Sequence, residues 1–118
     1  MAKQVVDAAV QVHRVLGPGL LESVYETCLT HELRKRGTTV QQQAPVPIVY
    51  DGVRLESGLR LDMLVDGKVI VEVKAVEKMA PIFEAQLLTY LRLSGIRLGL
   101  LVNFNVRLAK DGIERIVV

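Results

Sequence analysis

The apolar positions along this chain follow two rhythms, and the switches between them mark the element boundaries. From about Lys3 to Leu16, Val5, Val6, Ala9, Val12 and Leu16 recur at helical spacing, which predicts a helix broken by Gly17-Pro18-Gly19. A second helix is expected from about Leu20 to Arg36, with Arg34, Lys35 and Arg36 in its last turn and Gly37 as its stop. Val40 to Tyr50 reads as one or two edge strands, because Pro45 and Pro47 have no N–H to give to a ladder. Asp51-Gly52 turns the chain into Val53–Leu55, and Gly58 precedes a strand that carries Asp62. After a further strand that carries Glu72, Pro81 opens a helix to about Ser94, stopped by Gly95. Leu98–Asn103 is a strongly apolar strand, and Ile113–Val118 a last short one after the Asp111-Gly112 turn. The order α-α-β-β-β-α-β-β predicts an α/β fold with a central mixed sheet flanked by helices.

The hairpin between Leu59 and Ala75, LRLDMLVDGKVIVEVKA, holds three charges, Asp62, Glu72 and Lys74, among residues that otherwise look buried. Unpaired buried charges cost several kcal/mol or more, so this placement needs a cause. A two-residue turn at Asp66-Gly67 would pair Val65 with Lys68 and mix the faces. A three-residue loop, Asp66-Gly67-Lys68 with Gly67 left-handed and a bulge, pairs Val65 with Val69, Met63 with Val71 and Leu61 with Val73. That register keeps one face apolar and sets Asp62 opposite Glu72 and Arg60 opposite Lys74. Two facing carboxylates repel unless a cation lies between them. The hydrophobic pattern alone therefore predicts a paired-carboxylate site.

At 118 residues the chain, 1–118, is expected to form a single domain whose core needs no disulfide. There is no uninterrupted apolar stretch of membrane-spanning length, and the first residues lack the apolar run of a secretory signal. The lone Cys28 has no partner for an internal disulfide; together these features lead us to expect a cytoplasmic protein with no membrane contact. A net charge of +2 permits a nucleic-acid partner without arguing for one. One Cys and two distant His disfavour zinc.

Glu22 lies on the stripe of Tyr25, Leu29 and Leu33, so it is expected to point with the apolar face toward the sheet. It has two readings, a helix-start carboxylate favoured by the macrodipole or a third acidic group beside Asp62 and Glu72. Gln86 and Tyr90, four residues apart, stack on one face of their helix. Their tips serve either solvent or a buried site. His13 reads as a helix-packing residue or an extra ligand, His31 as surface and Cys28 as core. Asn103 and Asn105 are expected to close their strand into a turn.

GLLESVY at Gly19–Tyr25 has the form G-x-x-E-x-x-Y, preceded by His13-Arg14-Val15-Leu16-Gly17-Pro18. Together with Asp62, Glu72-Val73-Lys74, Gln86-x-x-x-Tyr90 and Val102-Asn103-Phe104-Asn105, this resembles the GxxExxY family of the PD-(D/E)xK nuclease superfamily. The Gln86-x-x-x-Tyr90 pair resembles the helix motif of its RecB/Cas4-like branch. The likeness runs from about Val6 to Val118, and Leu61 stands where the superfamily's name has Pro. It implies a restriction-endonuclease-like core and a site in which Asp62, Glu72, the Val73 carbonyl and Glu22 hold Mg²⁺ or Mn²⁺, hard cations that prefer oxygen. Lys74 would orient or deprotonate the attacking water and stabilise the transition state. Gln86 and Tyr90 would position water, Lys74 or phosphate, and Arg60 and Tyr25 would contact nucleic acid.

The resemblance thus implies a metal-dependent hydrolase of phosphodiester bonds, acting on DNA. Two rivals stand beside it: a catalytically silent nuclease-fold module that binds nucleic acid or a protein, and a structural domain in which Arg60, Asp62, Glu72 and Lys74 form a balanced salt-bridge network. Specific duplex contacts bury about 1,000 Å² or more, so a homodimer or an unidentified protein partner is expected.

Overall fold

In the computed structural model, which describes residues 2–118, a five-stranded sheet separates two helical layers. The elements are α1 (Ala2–Leu16), α2 (Glu22–Lys35), β1 (Val40–Tyr50), β2 (Val53–Val65), β3 (Val69–Lys74), α3 (Pro81–Ser94), β4 (Leu98–Asn103) and β5 (Ile113–Val117), with a short 3₁₀ turn at Ala109–Gly112. Strand order in space follows the chain, β1-β2-β3-β4-β5. Among the described residues only β3 and β4 run parallel, and α3 is their crossover. Among the described residues no helix is long and apolar enough to cross a membrane.

The two faces of β3 explain the layers. Val69, Val71 and Val73 pack with Leu100, Val102 and Phe104 against Val5, Ala8, Ala9 and Val12 of α1 and Tyr25, Leu29 and Leu33 of α2. Ile70 and Leu101 point the other way, to Leu87, Tyr90 and Leu91 of α3. Because β3 is central, its residues from Val69 to Val73 are all buried, Glu72 included.

The breakers act where the sequence places them. Pro81 is in the first turn of α3, and Gly95 ends that helix with φ 74°. β1 is a single edge strand that accommodates both prolines. β2 is one long strand where two pieces are expected. Glu56, Ser57 and Gly58 bulge from it against Pro47, and the Ser57 hydroxyl bonds the Val46 carbonyl, which keeps the arm paired through the irregularity.

The β2–β3 turn has the expected register, with Val65 opposite Val69 and Met63 opposite Val71. Asp66 shares positive φ with Gly67 there, at 51° and 65°. Asp66 tolerates this because its carboxylate accepts from the Thr39 N–H at 2.9 Å and the Thr39 hydroxyl at 2.6 Å. Gly112 is fixed by a close approach instead: a Cβ there would lie 2.0 Å from the Asn103 carbonyl oxygen. Gly112→Ala is therefore expected to destabilise by about 1–3 kcal/mol, read as a lower melting midpoint in denaturant.

Candidate active site

The β2–β3 ladder stops at the pair Met63–Val71. Beyond it side chains replace the ladder. The Asp62 N–H donates to Glu72 Oε2 at 2.8 Å, and the Val73 N–H donates to Asp62 Oδ2 at 2.8 Å. The two carboxylates thus face each other across the gap, each capping a backbone group of the opposite strand. The rungs expected beyond this point, Leu61 with Val73 and Arg60 with Lys74, do not form, because the carboxylates have taken the N–H groups at the gap. Leu61 packs with Ile70 and Leu87 instead of with Met63 and Val65.

Parallel strand β4 braces the other side of β3. Lys74 lies opposite Asn103, and its carbonyl accepts from the Phe104 N–H at 2.9 Å. The buried Asn103 amide closes the turn as expected: Oδ1 accepts from Val76 N and Asn105 N, and Nδ2 donates to the Val76 carbonyl. The segment just after Lys74 is held by those bonds.

Glu72 is 5% exposed. Burial first, then the Asp62 charge, push its carboxyl up to about 8, against the Asp62 N–H and Lys74. Burial also raises Asp62, opposed by the Val73 N–H, Lys74 and Gln43. Tyr90 reports the same charges from α3, its phenol pushed up by burial and then by Glu72 and Asp62. The Gln86 amide donates to the Tyr90 hydroxyl at 3.0 Å, joining the two residues the sequence places on one face.

Lys74 makes no ion pair with either acid. Its ammonium sits 4.7 Å from the centre of the Phe83 ring. Among the described residues the ion pairs are Lys3–Asp7 and Glu32 with Lys35 and Arg36. The balanced network of Arg60, Asp62, Glu72 and Lys74 is therefore corrected: the strands part before those charges meet, and exposed Arg60 reaches only the Leu59 carbonyl, at 3.5 Å.

Two expectations for α2 are also corrected. Glu22 is exposed, because the helix begins at Glu22 itself and its side chain hangs over the solvent end. Tyr25, expected at nucleic acid, has no exposed surface. Its ring stacks on Phe104 at 4.5 Å, while its hydroxyl donates to the Gly17 carbonyl and accepts from the Leu20 N–H. The G-x-x-E-x-x-Y tyrosine thereby secures the loop between the first two helices. The α2 carboxylate whose charge is felt at Glu72 is Glu26, one turn further on. Glu26 accepts from the Gln42 and Gln43 amides. Neither Glu26 nor Gln43 is singled out by the sequence, since Gln41-Gln42-Gln43 reads as a solvated edge and Glu26 lies outside the spaced motif. His13 is buried, with Nε2 2.6 Å from the Val106 carbonyl, which makes it a packing residue; His31 is exposed and Cys28 is partly buried against the core.

The mixed sheet thus opens at Asp62 and Glu72, with Lys74 two residues after Glu72. The model of the PD-(D/E)XK nuclease superfamily matches residues 1–116. The chain belongs to that superfamily. No curated protein and no solved structure matches it. Its three helices and five-stranded mixed sheet are consistent with the restriction-endonuclease-like fold of PD-(D/E)XK proteins.

PD-(D/E)XK nucleases usually use divalent metal ions, and the donors here suit one. Among the described residues no three His, Cys, Asp or Glu side chains gather to hold a metal. Two facing carboxylates with raised pKa values remain, an oxygen-only pair that no cation reaches at ion-pair distance among the described residues. Mg²⁺ is commonly held by one or two carboxylates, its other positions filled by water and substrate phosphate. The pair fits that pattern.

Proposed function

We propose that this protein is a metal-dependent nuclease that hydrolyses phosphodiester bonds in nucleic acid, with DNA as its substrate and Mg²⁺ or Mn²⁺ as its ion. The observation that carries the reading is the buried Asp62–Glu72 pair at the parting of β2 and β3, with Lys74 on the same strand as Glu72. Asp62, Glu72 and the Val73 carbonyl would hold the ion. Bound there, it supplies Lewis-acid polarisation of the phosphodiester and neutralises developing charge. Lys74 swings its ammonium from the Phe83 ring to the scissile phosphate, where it orients the attacking water and offsets transition-state charge. Tyr90, fixed by Gln86, positions the water or a phosphate oxygen. Exposed Arg60 on β2 takes a neighbouring phosphate of the strand. Glu22 lies exposed at the start of α2, and Glu26 is the α2 carboxylate whose charge reaches the pair.

We place the chain in the GxxExxY group and its Gln86-x-x-x-Tyr90 helix in the RecB/Cas4-like branch, and expect a second copy or a protein partner to extend the DNA contact. The test is incubation with single-stranded DNA, double-stranded DNA and RNA, with Mg²⁺, Mn²⁺ or chelator. Metal-dependent DNA cleavage is the expected result. Metal-induced thermal stabilisation without cleavage of any substrate would mean a formed site awaiting a partner or another substrate, and the absence of both effects would point to the silent binding module.

A further inference from the structure

Among the described residues three non-glycine residues have positive φ, and Asp51 and Asp66 sit in hairpin turns, where short polar side chains tolerate it. Gln43, at φ 51°, lies inside strand β1. This conformation is sterically unfavourable for an L residue and persists only where its surroundings enforce it.

The β1–β2 arm changes face at this residue. On one side Gln42 pairs with Met63, and Val40, Met63 and Val65 belong to the core beneath α1 and α2. On the other side Ala44 pairs with Leu61, and Ala44, Val46 and Leu61 belong to the core beneath α3. The register between those rungs sets Gln43 against Asp62. A regular strand sends successive side chains to opposite faces, yet Gln42 and Gln43 both donate to Glu26, Gln42 at 3.1 Å and Gln43 at 3.1 and 3.2 Å to its two oxygens. The left-handed turn at Gln43 brings both amides to one carboxylate.

We propose that Gln43 is a positioning residue of the metal site. Its left-handed backbone turns its amide onto Glu26 of α2, and so holds that carboxylate beside the Asp62–Glu72 pair. The inference rests on the metal-site reading above and deepens it by naming the residue that shapes the site from a neighbouring strand. Glycine adopts positive φ freely, so Gln43→Gly keeps the turn and removes the amide that the turn positions.

The experiment is Mn²⁺ titration of the full chain by calorimetry, with melting temperature in chelator measured in parallel. For Gln43→Gly, Mn²⁺ affinity is expected to fall about 10–100-fold, the usual effect of losing a partner behind the ligands, with the metal-free melting temperature no lower than wild type. Gln43→Asn, which tolerates the same φ but carries a shorter amide, is expected to lose affinity likewise, and serves if the glycine variant does not fold. Wild-type affinity in a folded variant would overturn the role of Gln43 while leaving the metal site standing. No Mn²⁺ binding by the wild type would overturn both.

Discussion

Lys74→Ala is expected to slow metal-dependent cleavage by about 10²–10³-fold, the typical effect of removing one preorganised donor from a developing negative charge. Metal binding and folding should survive the change. Lys74 is not an oxygen ligand, and the contact of its ammonium with the Phe83 ring is worth about 0.5–1 kcal/mol. Lys74→Arg should not restore the rate, because a planar guanidinium on a different stem cannot replace a compact ammonium. Single-turnover cleavage with enzyme in excess separates this from product release. Asp62→Asn is the contrasting variant: it should lose cleavage and Mn²⁺ binding together. A Lys74→Ala protein that cleaves as fast as wild type would remove Lys74 from the chemistry and leave the carboxylate pair as the remaining support for the nuclease reading.

The second large effect concerns stability and pH without metal. The Glu72 carboxyl moves from an ordinary 4.5 to about 8 on folding. A raised folded-state pKa means that its contribution is fully present below about pH 4.5 and is lost as pH rises through about 8. The difference corresponds to as much as about 5 kcal/mol across that window, at 1.36 kcal/mol per unit. Asp62, also raised, acts in the same direction. Glu72→Gln keeps an oxygen for the Asp62 N–H and has no proton to lose. Its melting temperature should match wild type in acid and exceed it by as much as roughly 20 °C at about pH 9, since 1 kcal/mol shifts a domain near this size by about 4 °C. Added Mn²⁺ should close that gap by stabilising the wild type alone. Parallel melting curves at every pH would show that Glu72 ionises as freely as a surface carboxylate.

Most of the fold was legible because its signals are local. Pro81 and Gly95 bound α3, Gly17-Pro18-Gly19 ends α1, and the alternation on either side of Asp66-Gly67 fixes the register of β2 against β3. The same alternation put Asp62 across from Glu72, since pleat parity alone decides which side chains meet near a turn. It failed one rung further on. Parity assumes an unbroken ladder, and at Asp62 carboxylates occupy the backbone donors, so Leu61 crosses to the α3 face and Arg60 never meets Lys74. The stripe logic on α2 likewise gave Tyr25, Leu29 and Leu33 their burial but misplaced Glu22, because the first residue of a helix has no preceding turn to press it inward.

The sequence by itself determined the element order, the central mixed sheet and the pairing of Asp62 with Glu72, all set by periodicity, breakers and near-neighbour register, while the superfamily was legible only through the resemblance of its motifs. Tertiary structure alone decided that Lys74 rests on Phe83, that Tyr25 serves the core, and that the Gln43 amide meets Glu26. Those outcomes depend on where α2, β1 and α3 settle against one another, contacts between segments far apart in the chain that no local pattern encodes.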